Sequence, residues 1–332
     1  MKILFRTRRG AGMIRIVIGT LMLILAPLAL LGTQANWKSA EKAINEARAA
    51  VVELADISKI NTSMNGKLVH AIGLADSQET MLDDEFHVRA ERVLQLSRNV
   101  TYFQWTETKT TRRDNTGRDE TTYTYDKEWT DEPVNIGGFS GSRLRTAFYF
   151  DRDSNDPIVK IASEVFDSPN VTFGTYRLPR FILQEIENES PFEFRLTNDE
   201  IESIATTILR RANDRLAKRA ELHIGSTRLY VGSNPNDPET GDVRLSFTYT
   251  PPTEISLIAV VEEGSFQPFK VSDGEKFHMV AMGRKSADEM LGDLESSSEE
   301  DLKAGRCGSI VIAVIGVLLF YFGKIARKLA LM

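Results

Sequence analysis

The chain has 332 residues, of which 42% are hydrophobic and 27% charged, and this balance excludes a disordered or fibrous protein. Nine of its 41 basic residues lie in or beside two terminal apolar stretches. The other 32 basic residues and the 47 acidic residues give the middle of the chain a net charge of about −15. That charge argues against nucleic acid as a partner, since phosphate binding needs clustered Lys and Arg. The single cysteine, Cys307, borders the C-terminal apolar stretch, so no internal disulfide can form.

The first apolar stretch is residues 13–32, MIRIVIGTLMLILAPLALLG, preceded by a basic tail over residues 1–12. Its length is close to the ~20 residues with which a helix crosses a bilayer, so we predict a transmembrane helix. A cleaved signal peptide is the alternative, because Pro27 interrupts the stretch and Thr33-Gln34-Ala35 is a tolerable cleavage site. We favour the uncleaved helix, since a helical pattern continues from Trp37.

The second apolar stretch, residues 306–323, contains GSIVIAVIGVLLFYFG and is short for a span. A buried core helix is the alternative, but Lys324 in the basic tail 324–332 can extend to the interface and Tyr321 suits the interfacial belt. Basic ends stay cytoplasmic, so we expect an integral, multi-pass protein with residues 33–305 outside the cytoplasm. That means the periplasm at a bacterial inner (plasma) membrane, or the lumen of the endoplasmic reticulum or nuclear envelope in a eukaryote. Tails this short leave no room for a cytoplasmic effector domain.

The region between the spans predicts an α+β domain with two mainly antiparallel β regions and flanking amphipathic helices. A juxtamembrane helix over 33–60 carries an a/d pattern, for which we favour packing on the local domain over a coiled coil. The extracytoplasmic domain then covers 61–305, with β regions at about 61–155 and 220–285 joined by helices. Predicted strands are 68–70, 90–96, 227–231, 243–249, 255–261, 266–271 and 277–282, and predicted helices are 179–186, 198–216 and 286–303.

A long hairpin is predicted in the first β region, from Val100 to Thr110 and from Glu120 to Glu132 around a turn at 114–117. With a period of two, its aromatic residues share one face: Phe103, Trp105, Tyr123, Tyr125 and Trp129. A buried sheet face is the favoured interpretation, and an exposed one would be a docking site.

No catalytic pattern is present in the sequence. Gly138-Phe139-Ser140-Gly141 lacks the spacing of a nucleophile elbow, and the four histidines stand far apart with no paired metal spacing. The segment Asp83 to His87 is the nearest to a metal cluster, and we interpret it as a solvated turn. The acidic loops 151–156 and 234–242 are rich in oxygen ligands, but neither fits a calcium loop fully. We therefore predict no catalytic, cofactor or metal residues.

Several segments of the chain resemble the LUMA family, also called transmembrane protein 43. The matching segments are 45–49 (NEARA), 66–70 (GKLVH), 103–107 (FQWTE), 120–129 (ETTYTYDKEW), 234–249 (NPNDPETGDVRLSFTY), 267–269 with Gly274, and 286–289 (SADE). They occur in order along almost the whole middle, and the longest of them is specific. The motif residues that we take as interaction candidates are Phe103, Gln104, Trp105, Glu107, Tyr123, Tyr125, Trp129, Asn234, Pro235, Pro238, Gly241, Asp242 and Arg244.

The resemblance implies a lumenal or extracytoplasmic domain and a scaffold of internal membranes that associates with itself and with other membrane proteins. It attaches no catalytic residue to these motifs. Animal relatives have several spans after the domain and this chain has one, so we expect a short, two-span, bacterial or otherwise minimal version. We therefore predict a non-enzymatic membrane scaffold that contacts membrane lipid, itself and other membrane or envelope proteins. Two alternatives stay open. One is a periplasmic sensor or ligand-binding module that signals through a partner, and the other is a hydrolase using His70 or His278.

Overall fold

The computed structural model of the chain describes the backbone of residues 2–113, 119–140 and 155–329, with side chains from residue 16 except 112–120, 323 and 325–329. Within these residues the helices are α1 (Lys2–Ala50), α2 (Arg180–Leu183), α3 (Asn198–Arg211) and α4 (Ala287–Leu329). α1 continues through Pro27 and through residues 33–35, the candidate cleavage site. The predicted helix 286–303 and the second apolar stretch form the single helix α4.

The strands are β1 (Val52–Glu53), β2 (Leu68–Ser77), β3 (Thr80–Asp83), β4 (Val88–Glu91), β5 (Gln95–Arg113), β6 (Asp119–Thr130), β7 (Glu164–Asp167), β8 (Val171–Phe173), β9 (Tyr176–Arg177), β10 (Ser190–Pro191), β11 (Leu222–Ile224), β12 (Arg228–Val231), β13 (Val243–Thr250), β14 (Thr253–Glu262), β15 (Ser265–Gln267), β16 (Phe269–Lys270), β17 (Lys276–Phe277) and β18 (Met279–Met282).

Two mainly antiparallel sheets hold most of these strands. The first sheet has the order β15-β14-β2-β8-β9, with β1 also on β2 and β18 also on β14. The second has the order β11-β12-β13-β5-β6, with β10 on β13 and β7 on β5. Each sheet takes strands from both predicted β regions, because β2 pairs with β14 and β5 with β13. An α+β architecture between two terminal apolar helices is thus confirmed.

Several predicted boundaries are wrong for local reasons. The strand predicted over 90–96 is two strands, because the backbone at Arg92 takes a positive φ of 55° and β4 ends before β5 begins. The strand predicted over 266–271 is divided at Pro268, which cannot donate to a strand pairing. α3 ends at Arg211 instead of 216. Its predicted start at residue 198 is confirmed, and Thr197 and Glu200 form a reciprocal capping box there.

The two terminal helices are long and apolar enough to cross a membrane in their segments Ile16–Ala50 and Ala287–Phe322, with hydropathies of 2.3 and 2.0. Only 11% of each apolar window is buried, so neither is the core helix of a soluble domain. They pack side by side and run in opposite directions. A Cβ added to Gly19 would lie 2.7 Å from the carbonyl oxygen of Gly316, so glycine permits this close approach.

The inward side of α1 follows a seven-residue spacing, through Gly19, Ala26, Thr33, Ala40 and Ala47, with Gly19, Ala26 and Ala47 buried. This is the spacing of a helix pair that packs along its whole length. Near the domain, Ile44 and Ala47 join a core cluster with Leu68 and Ile258 of the first sheet. The juxtamembrane part of α1 therefore packs on both α4 and the domain, and it ends at Ala50 instead of 60.

Candidate interaction site on the second sheet

The pairing of β5 with β6 sets the aromatic face of the hairpin. Phe103 lies opposite Trp129, Trp105 opposite Lys127, and Glu107 opposite Tyr125. Odd-numbered residues of both strands therefore share one face, as the period-two pattern predicts. The predicted turn at 114–117 lies outside the described residues.

The aromatic face is half-buried instead of fully buried, and this holds for Phe103, Trp105, Tyr123, Tyr125 and Trp129. The rings of Phe103 and Trp129 are 5.2 Å apart, and those of Trp129 and Tyr230 are 6.2 Å apart. Such tilted and edge contacts are the favoured geometries of aromatic pairs. The face is a packed aromatic surface that keeps part of each ring at the exterior.

The side chain of Asn155 continues the second sheet beside β5. Its Oδ1 accepts from the backbone N–H of Trp105 at 2.8 Å, and its Nδ2 donates to the carbonyl of Trp105 at 2.9 Å. Gln104, on the opposite face, is fully buried and accepts from the N–H of Val134 at 2.5 Å. The Glu107 carboxylate accepts from the hydroxyl of Tyr125 at 2.7 Å. The hydrogen bonds of Gln104, Trp105 and Glu107 thus hold the first part of the hairpin in place.

The loop 234–242 is held by the buried carboxylate of Asp242, which is 0% exposed. It accepts from Nη2 of Arg219 at 2.6 Å, from the N–H of Glu239 at 2.8 Å and from the hydroxyl of Tyr230. A Cβ added to Gly232 would lie 2.5–2.7 Å from the carboxylate, so only glycine leaves room for it. Protein donors thus occupy the carboxylate of Asp242, one of the oxygen groups of this loop.

Burial governs the ionisation of this cluster. Desolvation raises the pKa of the Asp242 carboxyl, and its hydrogen bonds to Tyr230, Glu239 and Arg219 oppose the shift. Desolvation, and then the bond to Asp242, raise the pKa of Tyr230 far above its ordinary range. The phenol therefore stays protonated as a donor across the physiological range.

Gly241 joins this loop to the hairpin. Its φ is +94°, and a Cβ there would lie 2.6 Å from the carbonyl oxygen of Asp156. Its N–H donates to the carbonyl of Phe103 at 2.8 Å, and the N–H of Phe103 donates to the carbonyl of Asp242 at 2.9 Å. The hydroxyl oxygen of Tyr230 also lies 3.0 Å from the carbonyl oxygen of Asn234, and Pro235 and Pro238 are half-buried in the same loop. The structure thus brings the family motifs 103–107 and 234–249 together.

Arg244 lies over this aromatic surface. Its guanidinium carbon is 3.7 Å from the ring centroid of Trp129, a close cation–π contact. Burial, and then the charge of Arg228 on β12, lower the pKa of Arg244. Strand pairing sets Arg228, Arg244, Phe103 and Trp129 on one face, which we call the arginine–tryptophan surface. Among the described residues, no carboxylate lies within ion-pair distance of either arginine.

Other sequence candidates have separate surroundings. The four histidines contact Glu53, Ser203, Gly232 and Glu185 respectively, at different places in the fold. Asp83 and Glu85 of the predicted solvated turn bind the buried Arg98, so part of this turn belongs to the core. Most of the loop 151–156 lies outside the described residues. In the described part of the chain no group of three or more His, Cys, Asp or Glu side chains could hold a metal ion.

Sequence reasoning missed Arg219, Tyr230, Asn155 and Arg228. Tyr230 sits in a predicted strand, and Arg219 follows a helix in a basic stretch, so neither carries a local signal. Tyr230 and Arg219 gain a role only because Asp242 contacts Phe103 of β5, more than 130 residues away along the chain.

The comparisons with known proteins agree with the family resemblance. The sequence model of the family "Transmembrane protein 43" matches residues 102–329. The human protein of that name is 26% identical over 270 residues, covering 76% of this chain and 60% of its own length. The rat protein is 25% identical over 266 residues, covering 74% of this chain and 58% of its own. This chain thus spans about three fifths of these relatives.

No solved structure matches the chain. The family match covers more than half of the chain, including the hairpin, the loop 234–242 and α4. The chain therefore belongs to the transmembrane protein 43 family.

Proposed function

We propose that this membrane protein is a non-enzymatic scaffold that associates with itself and with other membrane proteins through the arginine–tryptophan surface. The observation that carries the proposal is the pair Arg228 and Arg244, without an ion-pair partner in the described chain, beside Trp129. Aromatic residues and arginine are enriched at the centres of protein interfaces. Such a surface on an otherwise acidic domain favours an anionic partner.

A second copy of the chain is the partner that this charge pattern favours first. The middle of the sequence carries about −15, so any second copy presents many carboxylates to two neighbouring arginines. The cation–π contact also fixes the guanidinium of Arg244, which reduces the entropy lost when it binds a carboxylate. Contacts of this kind steer association and weaken with salt.

The proposed arrangement keeps both tails in the cytoplasm and the β-rich domain outside it. Two features support it: the basic tails, and the opposite directions of α1 and α4, which bring both ends of the chain to the same side.

The test uses the full chain in mild detergent and compares Arg228→Ala/Arg244→Ala with Arg195→Ala/Arg284→Ala, which removes the same charge from exposed arginines elsewhere. We expect self-association of the natural chain by light scattering and chemical crosslinking. The first variant should weaken it about tenfold, and 0.5 M salt should do the same. A strict monomer, or equal loss in both variants, would contradict the proposal.

One structural feature favours the alternative of a ligand-binding module. A groove of about 380 Å³ lies between β4 and the segment 191–195, with Arg89, Arg195 and Tyr249 among its lining residues. Its size is at the lower end of small-molecule sites. Thermal melting of the full chain with small anionic metabolites tests this function, since a ligand that binds only the folded state raises the melting temperature.

A further inference from the structure

We infer that the cavity between α1 and α4, where the two helices leave the membrane, binds the ammonium headgroup of a phospholipid. The leaflet concerned is the one next to the β-rich domain. The cavity has a volume of about 220 Å³ and is lined by Thr33, Asn36, Trp37, Ala40, Ser298, Asp301 and Leu302. This site is separate from the arginine–tryptophan surface and does not depend on its function.

The depth of the cavity fits a headgroup. The apolar stretches end near residues 32 and 308, so Trp37 and Asp301 lie about 8 and 10 Å beyond them at 1.5 Å per residue. Headgroups occupy a layer that begins where the hydrocarbon core ends. The volume is below the ~300 Å³ at which pockets hold a whole small molecule, so it fits one polar group of a larger ligand.

The chemistry of the lining selects a cation. Asp301 has no ion pair or hydrogen bond among the described residues, although Lys303 beside it pairs with Glu299 at 3.4 Å. Trp37 is half-exposed and lines the same cavity. A carboxylate and an indole together are the usual recognition elements for an alkylammonium group such as choline or ethanolamine. An anionic headgroup would instead meet the charge of Asp301.

The helices around the cavity explain why the ligand should be a lipid. Above the spans, α1 and α4 keep close contact at Gly305, where an added Cβ would lie 2.5 Å from the Thr33 side chain. On the membrane side of this contact, Leu31 and Val311 are 61% and 56% exposed, so acyl chains can lie against them. A phospholipid can thus place its tails on the apolar helices and its ammonium group in the cavity.

The test is native mass spectrometry of the full chain in detergent, titrated with phosphatidylcholine or phosphatidylglycerol of identical acyl chains. We expect the natural chain to retain phosphatidylcholine about three- to tenfold better than phosphatidylglycerol. Asp301→Asn and Trp37→Leu should remove the preference, and Asp301→Glu, which keeps the carboxylate, should retain it. Glu300→Gln is the matched control, since it removes one charge next to Asp301 from a residue that does not line the cavity.

Two results would overturn the inference. Equal retention of both lipids by the natural chain would mean that only ordinary boundary lipid is bound. A preference unchanged in Asp301→Asn would show that the cavity does not select the headgroup. Thermal melting of each variant checks its folding, and Asp301→Glu separates loss of the carboxylate from loss of structure.

Discussion

The Nε2 atom of His70 lies 2.9 Å from the carbonyl oxygen of Lys285, and through this contact the first sheet holds the start of α4. Since a carbonyl only accepts, Nε2 must carry a hydrogen. The Nδ1 atom lies 2.6 Å from the carboxylate of Glu53, three residues after α1 ends. One buried imidazole, 2% exposed, therefore connects the domain to the ends of both terminal helices.

Replacing His70 should loosen this connection. His70→Leu leaves the Lys285 carbonyl without its donor, a loss of about 1–3 kcal/mol for a buried group. We expect the melting temperature of the full chain in detergent, followed by circular dichroism, to fall by several degrees. Glu53→Gln keeps the Nε2 contact and should cost less. A melting temperature of His70→Leu equal to that of the natural chain would refute this role.

Gly232 should not tolerate even a methyl group. In Gly232→Ala the new Cβ would lie 2.5–2.7 Å from the Asp242 carboxylate and displace it from Arg219. We expect a loss of at least about 2 kcal/mol in the free energy of unfolding, measured with denaturant. Gly138→Ala is the matched control, because among the described residues no atom beyond its chain neighbours lies within 4 Å of a Cβ there. Similar losses in the two variants would contradict the steric explanation.

Close packing of the terminal helices should depend on Gly19. Gly19→Val places its Cβ 2.6 Å from the backbone nitrogen of Phe320, which cannot move as a side chain would. In a Cys307→Ser background, cysteines at the buried positions 26 and 309 should form a crosslink that Gly19→Val reduces severalfold. Gly308→Val, on α4, should leave the crosslink intact, because a Cβ there meets no atom within 4 Å among the described residues. An unchanged yield in Gly19→Val would argue against the helix pair.

Acid should weaken the contact between Asp76 and Arg92. The side-chain hydrogen bond from Arg92 lowers the pKa of Asp76 below its ordinary 3.8. A lowered carboxyl pKa gives stability that is present above the unfolded value and is lost as pH falls through the folded value. Below pH 4 the natural chain should therefore lose its stability advantage over Asp76→Asn. A difference in melting temperature that stays constant from pH 6 to pH 3 would contradict this.

Labelling tests the membrane arrangement. In a Cys307→Ser chain, Ser233→Cys lies exposed on the β-rich domain. It should react with a membrane-impermeant maleimide that is added on the side of the membrane away from the cytoplasm. Ala330→Cys, in the C-terminal tail, should react only from the cytoplasmic side. The opposite pattern would show that the positive-inside rule misplaces this chain.

The sequence by itself determined the features that repeat over short distances. Apolar length indicated the two terminal helices, period-two alternation indicated the hairpin and its aromatic face, and helical periodicity indicated the start of α3 at residue 198. These signals are local, because the residues that make each element are neighbours in the chain.

Only the tertiary structure decided how the distant segments meet. The contact of Gly241 and Asp242 with Phe103, the burial of Asp242 against Arg219, and the ring of Trp129 beneath Arg244 all depend on pairing β5 with β13. Which strands pair depends on the packing of the whole core, so residues such as Tyr230 and Arg219 carry no local signal for their role. For the same reason, the cavity beside Asp301 follows from the packing of α1 against α4 and not from either apolar pattern alone.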